Sequence, residues 1–162
     1  MGGANEFQNI PITFVRLGWR GAAFVPVYRK TNIFSPRIVF DRLLPLGGVE
    51  VPVNLLPRQS DFRGFDRRRD NVSMVASVDY TWQLIPFMGM RMFFDVASVA
   101  PSVSGIGLRQ LLDARYAGGV GFDFFSKTST LARLALSASP DGARLLLNVG
   151  IDRGYGDRQH QD

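Results

Sequence analysis

The sequence predicts an all-β chain, an antiparallel sheet of about seven or eight long strands taken from a transmembrane β-barrel. Long stretches alternate apolar and polar residues with period two, which is typical of strands and not of helices. The polar face of these stretches carries Arg and Asp among Gly, Ala and Ser. That composition favours a crowded, wet lumen over the lysine-rich and glutamate-rich surface of a soluble protein. Helical periodicity is limited to 108–115, where a turn or two could form in a loop.

The first two strands are predicted over 14–27 and 33–44. The polar face of 14–27 carries Arg16 and Arg20, opposite a face that is apolar throughout. The second stretch is harder to assign, because Pro36 interrupts it and both faces mix apolar and charged residues.

The strongest pattern covers 72–84 and is repeated over 88–97. In the first of these stretches an apolar face that includes Val78 alternates with a polar face that includes Asp79. At a rise of about 3.3 Å per residue this strand is about 40 Å long, more than most soluble strands require. The second stretch places Arg91 and Asp95 on its polar face.

Three further strands are predicted over 115–124, 133–137 and 143–152. Short turns separate the strands at 85–86, 126–129 and 140–142, the last with the tight-turn sequence Pro-Asp-Gly. Longer connections are predicted at 45–71 and 99–114.

Composition restricts the function classes. The 162 residues suit one domain, for which we expect a disordered start at 1–9, a barrel portion at 10–155 and a polar tail at 156–162. The chain has no cysteine and its only histidine, His160, lies in the tail, so we predict neither an enzyme nor a cofactor or metal site. The start has neither a basic region nor an apolar stretch, so no signal peptide is expected in this chain. The basic run 67–69 lies between Asp66 and Asp70, which argues against nucleic acid as a partner.

Arg63 is the first candidate functional residue. It precedes Gly64 in the long connection 45–71, and a guanidinium projected into a confined lumen must be paired to avoid a large desolvation cost. Asp95 faces the same lumen by parity, so a bidentate Arg63 to Asp95 pair would hold the loop inside the barrel. The alternative places Arg63 in a solvated loop tip and pairs Asp95 with Arg91 or Arg133.

Several motifs resemble those of one family in their order and spacing. They are Leu55-Leu56-Pro57, Phe62-Arg63-Gly64-Phe65, Asp79-Tyr80, Phe93-Phe94-Asp95-Val96-Ala97 and Gly119-Val120-Gly121. Together they resemble the BamA/TamA outer-membrane assembly superfamily, also described as the bacterial surface antigen family. The resemblance covers roughly residues 10–155.

The resemblance implies that this chain is the C-terminal half of a sixteen-stranded barrel, with 45–71 folded into it. It also implies a loop-lock motif of Arg63, Gly64 and Phe65 and a set of lumen partners, Asp95, Phe93, Asp79 and Arg91. The implied role is assembly, insertion or translocation of outer-membrane proteins. The implied location is the cell outer membrane, with the lipid bilayer, client outer-membrane proteins or a separate N-terminal domain as partners.

Three functions stay open on the sequence. In the first, the final strand is a lateral seam that templates incoming strands, with Gly150 or Gly154 allowing it to bend. In the second, the barrel is a passive anchor or pore for an upstream enzyme domain such as a patatin-like lipase. In the third, it is a small soluble barrel that binds a ligand. Because about seven strands cannot close a sixteen-strand perimeter, we expect an open sheet that pairs with other chains.

Overall fold

The strands form one antiparallel sheet. The computed structural model describes residues 14–28, 31–46, 51–59, 61–103, 113–126 and 130–152. Within them lie eight strands: β1 (Phe14–Ala22), β2 (Val25–Pro26), β3 (Asn32–Pro45), β4 (Val72–Ile85), β5 (Met88–Ala100), β6 (Arg115–Phe125), β7 (Thr130–Ser139) and β8 (Gly142–Asp152). The spatial order is β1-β3-β4-β5-β6-β7-β8, with β2 also paired to β3. The all-β prediction is confirmed. Each predicted strand is found, although the first is divided into two and the strand predicted over 133–137 is longer.

The sheet is open. Across the described residues, β1 pairs only with β3 and β8 pairs only with β7, so the first and last strands are not joined. The expectation of an open sheet is therefore confirmed. Membership of a transmembrane barrel stays a prediction.

The predicted first strand is split into β1 and β2, and Pro36 of β3 explains the split. The Ala23 N–H donates to the Pro36 carbonyl at 3.0 Å. In an antiparallel ladder the reciprocal bond would come from the N–H of residue 36, which proline lacks. The ladder is interrupted there and resumes at Val25, which lies opposite Phe34.

The two faces of the sheet differ in chemistry. The connection between β3 and β4 lies against one face, here called the covered face, and the opposite face is the bare face. On β4, Val78 of the bare face is 37% exposed, whereas the neighbouring Ser77 of the covered face is 3% exposed. Exposed apolar side chains extend over the bare face from β1 to β8: Val15, Leu17, Trp19, Phe34, Ile38, Leu84, Met92, Phe94, Tyr116, Val120, Phe122, Phe124, Leu134, Leu136, Leu145, Leu147 and Val149.

Several predictions fall outside the described residues. They are the start at 1–9, most of the helical turn at 108–115, and the region 153–162 with Gly154 and His160. Arg115 at the end of that predicted turn is the first residue of β6. In the part of the chain that the structure describes, no helix is long and apolar enough to cross a membrane.

Candidate functional site

The site is the contact between the β3–β4 connection, called the loop below, and the covered face. Phe62 of the loop is 4% exposed and belongs to the buried apolar cluster of the sheet. The other members are Val39 of β3, Val75 of β4, Ala97 of β5 and Ala117 of β6. The small alanines of β5 and β6 leave room for the ring of Phe62. The loop thus supplies the largest side chain of this buried cluster.

Gly64 allows the loop to approach β6 closely. A Cβ atom added at Gly64 would lie 2.7 Å from the Ala117 Cβ and 2.7 Å from the Phe62 Cζ. Such contacts are far shorter than van der Waals separations, so a side chain at this position would push the loop away from the sheet. The glycine after Arg63 is therefore required by packing.

Arg63 binds Asp95 through two guanidinium nitrogens and through its backbone. Its Nε and Nη2 donate to the two carboxylate oxygens at 2.8 and 2.5 Å, and its backbone N–H donates to Oδ2 at 3.0 Å. Nη1 contacts Asp79 Oδ1 at 2.6 Å. Asp95 is fully buried, so a single arginine compensates a carboxylate that water does not reach.

The ring of Phe93 completes the environment of Arg63. The guanidinium lies over this ring, 3.8 Å from its centroid, in cation–π geometry. Gly119 of β6 makes space for the ring, because a Cβ there would lie 2.4 Å from Phe93 Cζ. Gly119 of the Gly119-Val120-Gly121 stretch therefore allows the Phe93 ring to lie beneath Arg63.

The pKa of Arg63 is raised. Burial acts to lower it, but the hydrogen bond with Asp95 and the charges of Asp79 and Asp95 outweigh that effect. The guanidinium therefore stays protonated at every pH the folded protein meets. Titration of the arginine therefore does not release the loop.

The ion pairs continue along the covered face beyond Arg63. Arg91 contacts Asp79 at 3.6 Å and also pairs with Asp123, and Arg133 lies 3.7 Å from the same Asp123. The network that joins the three carboxylates of β4, β5 and β6 therefore holds an equal number of arginines, which are Arg63, Arg91 and Arg133. Balanced charge makes a largely buried polar face tolerable.

Ion pairs and hydrogen bonds also hold the loop on both sides of Arg63. Asp61 is held by Arg20 of β1 at 3.2 Å and by Arg37 of β3 at 3.6 Å. On the other side, Arg68 Nε and Nη2 bind Asp66 at 3.0 and 2.7 Å, and Arg68 Nη1 donates to the Asp113 carbonyl at 2.8 Å. The loop is attached at several points along its length, with Arg63 in the middle.

Two of the three predicted loop-lock residues contact the covered face, and the third is exposed. Arg63 and Gly64 lie on the covered face, and the predicted lumen partners Asp95, Phe93, Asp79 and Arg91 surround Arg63. Phe65 is 40% exposed and lies near Gly142 at the start of β8. The buried aromatic ring of the Phe62-Arg63-Gly64-Phe65 motif is that of Phe62, which the predicted loop lock does not include. The position of Phe62, two residues before Gly64, does not indicate that Phe62 rather than Phe65 is buried.

The predicted seam residue Gly150 lies at an irregularity of β8. Ala132 is opposite Val149, whereas Thr130 is opposite Asp152, so two residues of β8 face one residue of β7. Such a bulge bends a strand. A Cβ at Gly150 would meet nothing within 4 Å, so crowding does not require this glycine.

Comparison with known proteins does not identify a family. No protein-family model matches the chain, and no curated protein matches it. Within the described residues, no group of three or more His, Cys, Asp or Glu side chains is placed to hold a metal ion. The candidate site thus rests on its own geometry, and the resemblance to the BamA/TamA superfamily stays a prediction.

Proposed function

We propose that this chain forms part of the wall of an outer-membrane β-barrel similar to the BamA/TamA superfamily, and that it acts in assembly or insertion of outer-membrane proteins. The observation that carries the proposal is the inverted chemistry of the sheet. Large apolar side chains lie on the bare face, while the ion-paired residues of β4, β5 and β6 lie on the covered face.

This arrangement suits lipid better than water. Exposed apolar patches on soluble monomers rarely exceed a few hundred Å², whereas the bare face is apolar from β1 across to β8. Lipid-facing sheets of outer-membrane barrels are apolar outside and polar inside. The covered face matches the polar interior, because its ion pairs are balanced and shielded by the loop.

The edge of β8 supports a role in strand addition. Its bare-face side chains Leu145, Leu147 and Val149 are 67, 68 and 72% exposed, and its only strand partner in the described chain is β7. In lipid the free backbone groups of such an edge require a partner strand. An incoming strand of a client protein would supply those hydrogen bonds by β-augmentation.

The lipid-facing proposal can be tested with two adjacent positions of β8. Leu147 and Asn148 are both exposed but lie on opposite faces of the strand. In liposomes, Leu147→Arg should reduce the free energy of unfolding by about 2–4 kcal/mol if this position lies near the bilayer midplane. Asn148→Arg, which places a cation opposite Arg133, should cost less than about 1 kcal/mol. Equal costs, or a chain that stays monomeric and folded in water without detergent, would overturn the proposal.

The role in assembly can be tested by crosslinking. The chain has no cysteine, so each introduced cysteine is unique. Leu147 on β8 lies directly opposite Leu134 on β7, and β7 has strands on both sides. Leu147→Cys should crosslink to a cysteine in the terminal strand of a client barrel protein, and the control Leu134→Cys should not. Crosslinking from both positions, or from neither, would favour a passive anchor or pore for an upstream domain.

A further inference from the structure

An arginine-rich pocket lies at one end of the sheet, apart from the Arg63 network. The loop and Arg144 near the start of β8 form it. Its described lining comprises Arg58, Gln59, Phe62, Gly64, Asp66, Arg67, Arg68, Arg69 and Arg144. The long connections after β3 and β5 leave the sheet at this end.

The charges in the pocket are not balanced. Arg68 binds Asp66, the sole carboxylate in the described lining, through two nitrogens. Of the other four arginines, Arg69 donates to the Val53 carbonyl at 3.1 Å and Arg144 approaches the Gly64 carbonyl at 3.5 Å. None of the four forms an ion pair with a carboxylate of the described chain, in contrast to the balanced network around Arg63.

A second observation concerns Gln59 in the wall of the same pocket. Its Oε1 and Nε2 are both buried and have no hydrogen-bond partner among the described residues. A buried amide without partners costs free energy that a bound polar ligand can recover. Solvated arginines alone would explain scattered surface charges. They do not explain why four guanidinium groups without a carboxylate partner in the described chain surround one pocket that also contains the amide of Gln59.

We propose that this pocket binds a ligand that carries two or more phosphate groups. The planar guanidinium fork matches phosphate oxygens in bidentate geometry, and all the cations of the described lining are arginines. Four positive charges that no carboxylate of the described chain compensates fit a diphosphate or bisphosphate better than a single carboxylate. The ligand is either a free diphosphate or the headgroup of a phosphorylated lipid.

The test measures binding to the full chain in zwitterionic detergent micelles. Inorganic pyrophosphate is the first probe, titrated by calorimetry at about 50 mM salt, where screening is modest. The variant Arg58→Gln/Arg67→Gln removes two exposed arginines of the pocket and should not impair folding. It should weaken binding by at least about tenfold, the effect of losing one hydrogen bond to a charged group. The control Arg42→Gln, on the bare face of β3, removes the same kind of charge and should leave binding within about twofold.

A conservative variant separates the guanidinium fork from simple charge. Arg144→Lys keeps the charge but loses the fork, and it should weaken pyrophosphate binding by several-fold. Phosphatidylcholine vesicles with and without cardiolipin, a lipid with two phosphates, distinguish the sources of the ligand. Binding of cardiolipin vesicles that is lost in Arg58→Gln/Arg67→Gln identifies a lipid headgroup, whereas binding of pyrophosphate alone identifies a free diphosphate.

Two results would overturn the proposal. One is no saturable binding of either probe by the native chain, and the other is equal weakening by the Arg42→Gln control. Neither result bears on the lipid-facing proposal, which depends on Leu147 and Asn148 of β8. The failure of one proposal is therefore distinguishable from the failure of the other.

Discussion

Removing either partner of the Arg63–Asp95 ion pair should loosen the loop, but by unequal amounts. Among the described residues, the hydrogen bonds to Asp95 side-chain oxygens all come from Arg63. Arg63→Ala leaves this fully buried carboxylate with one backbone N–H as its hydrogen-bond donor. We expect the free energy of loop opening to fall by about 3–5 kcal/mol. Asp95→Ala leaves Arg63 in contact with Asp79 at 2.6 Å, so we expect a smaller cost of about 1–3 kcal/mol.

The double variant should cost less than the sum of the two single variants. Once one partner is gone, removing the second eliminates an uncompensated charge, so we expect a coupling energy of about 2 kcal/mol. Trypsin provides the assay, because Arg58, Arg67 and Arg69 lie in the loop and their cleavage rate reports the free energy of loop opening. The control Arg42→Ala should leave that rate unchanged. Additive costs, or a cost for Asp95→Ala that exceeds that for Arg63→Ala, would refute this reasoning.

Packing of the loop gives further predictions for the same trypsin assay. Gly64→Ala should lower the free energy of loop opening by about 1–3 kcal/mol because the added methyl group clashes with Ala117. Adding Ala117→Gly in the same chain should restore part of that free energy. No restoration would show that the clash is not the cause. Phe62→Ala should cost about 3–5 kcal/mol because the ring is buried, whereas Phe65→Ala should cost about 1 kcal/mol or less. The reverse order would mean that Phe65 anchors the loop.

The sequence predicted the strands well because their signal is local. Alternation with period two assigns each residue of 72–84 to a face without knowledge of its neighbours, and the faces of β4 agree with that assignment. The same parity placed Asp95 on the face where Arg63 lies. In each case the side chain's direction follows from its position along a single strand.

Other features depend on contacts between segments and were not predictable. The division of the first strand follows from Pro36, which lies on a different strand and acts through a missing hydrogen bond. The burial of Phe62 depends on how the loop descends onto Ala97 and Ala117. Periodicity carries no information about a loop, so the sequence did not distinguish Phe62 from Phe65.

The order of strands also limits how the sheet can be completed. Six antiparallel pairings separate β1 from β8, so the two edge strands point in the same direction. A second copy added head to tail would therefore join the two sheets through parallel pairs. A closed barrel in which every neighbouring pair is antiparallel needs an even number of strands. Seven strands lie on the path from β1 to β8, so an odd number must be added as one continuous sheet. Strand direction alone thus excludes an antiparallel barrel built from copies of the described sheet related by an axis along the barrel.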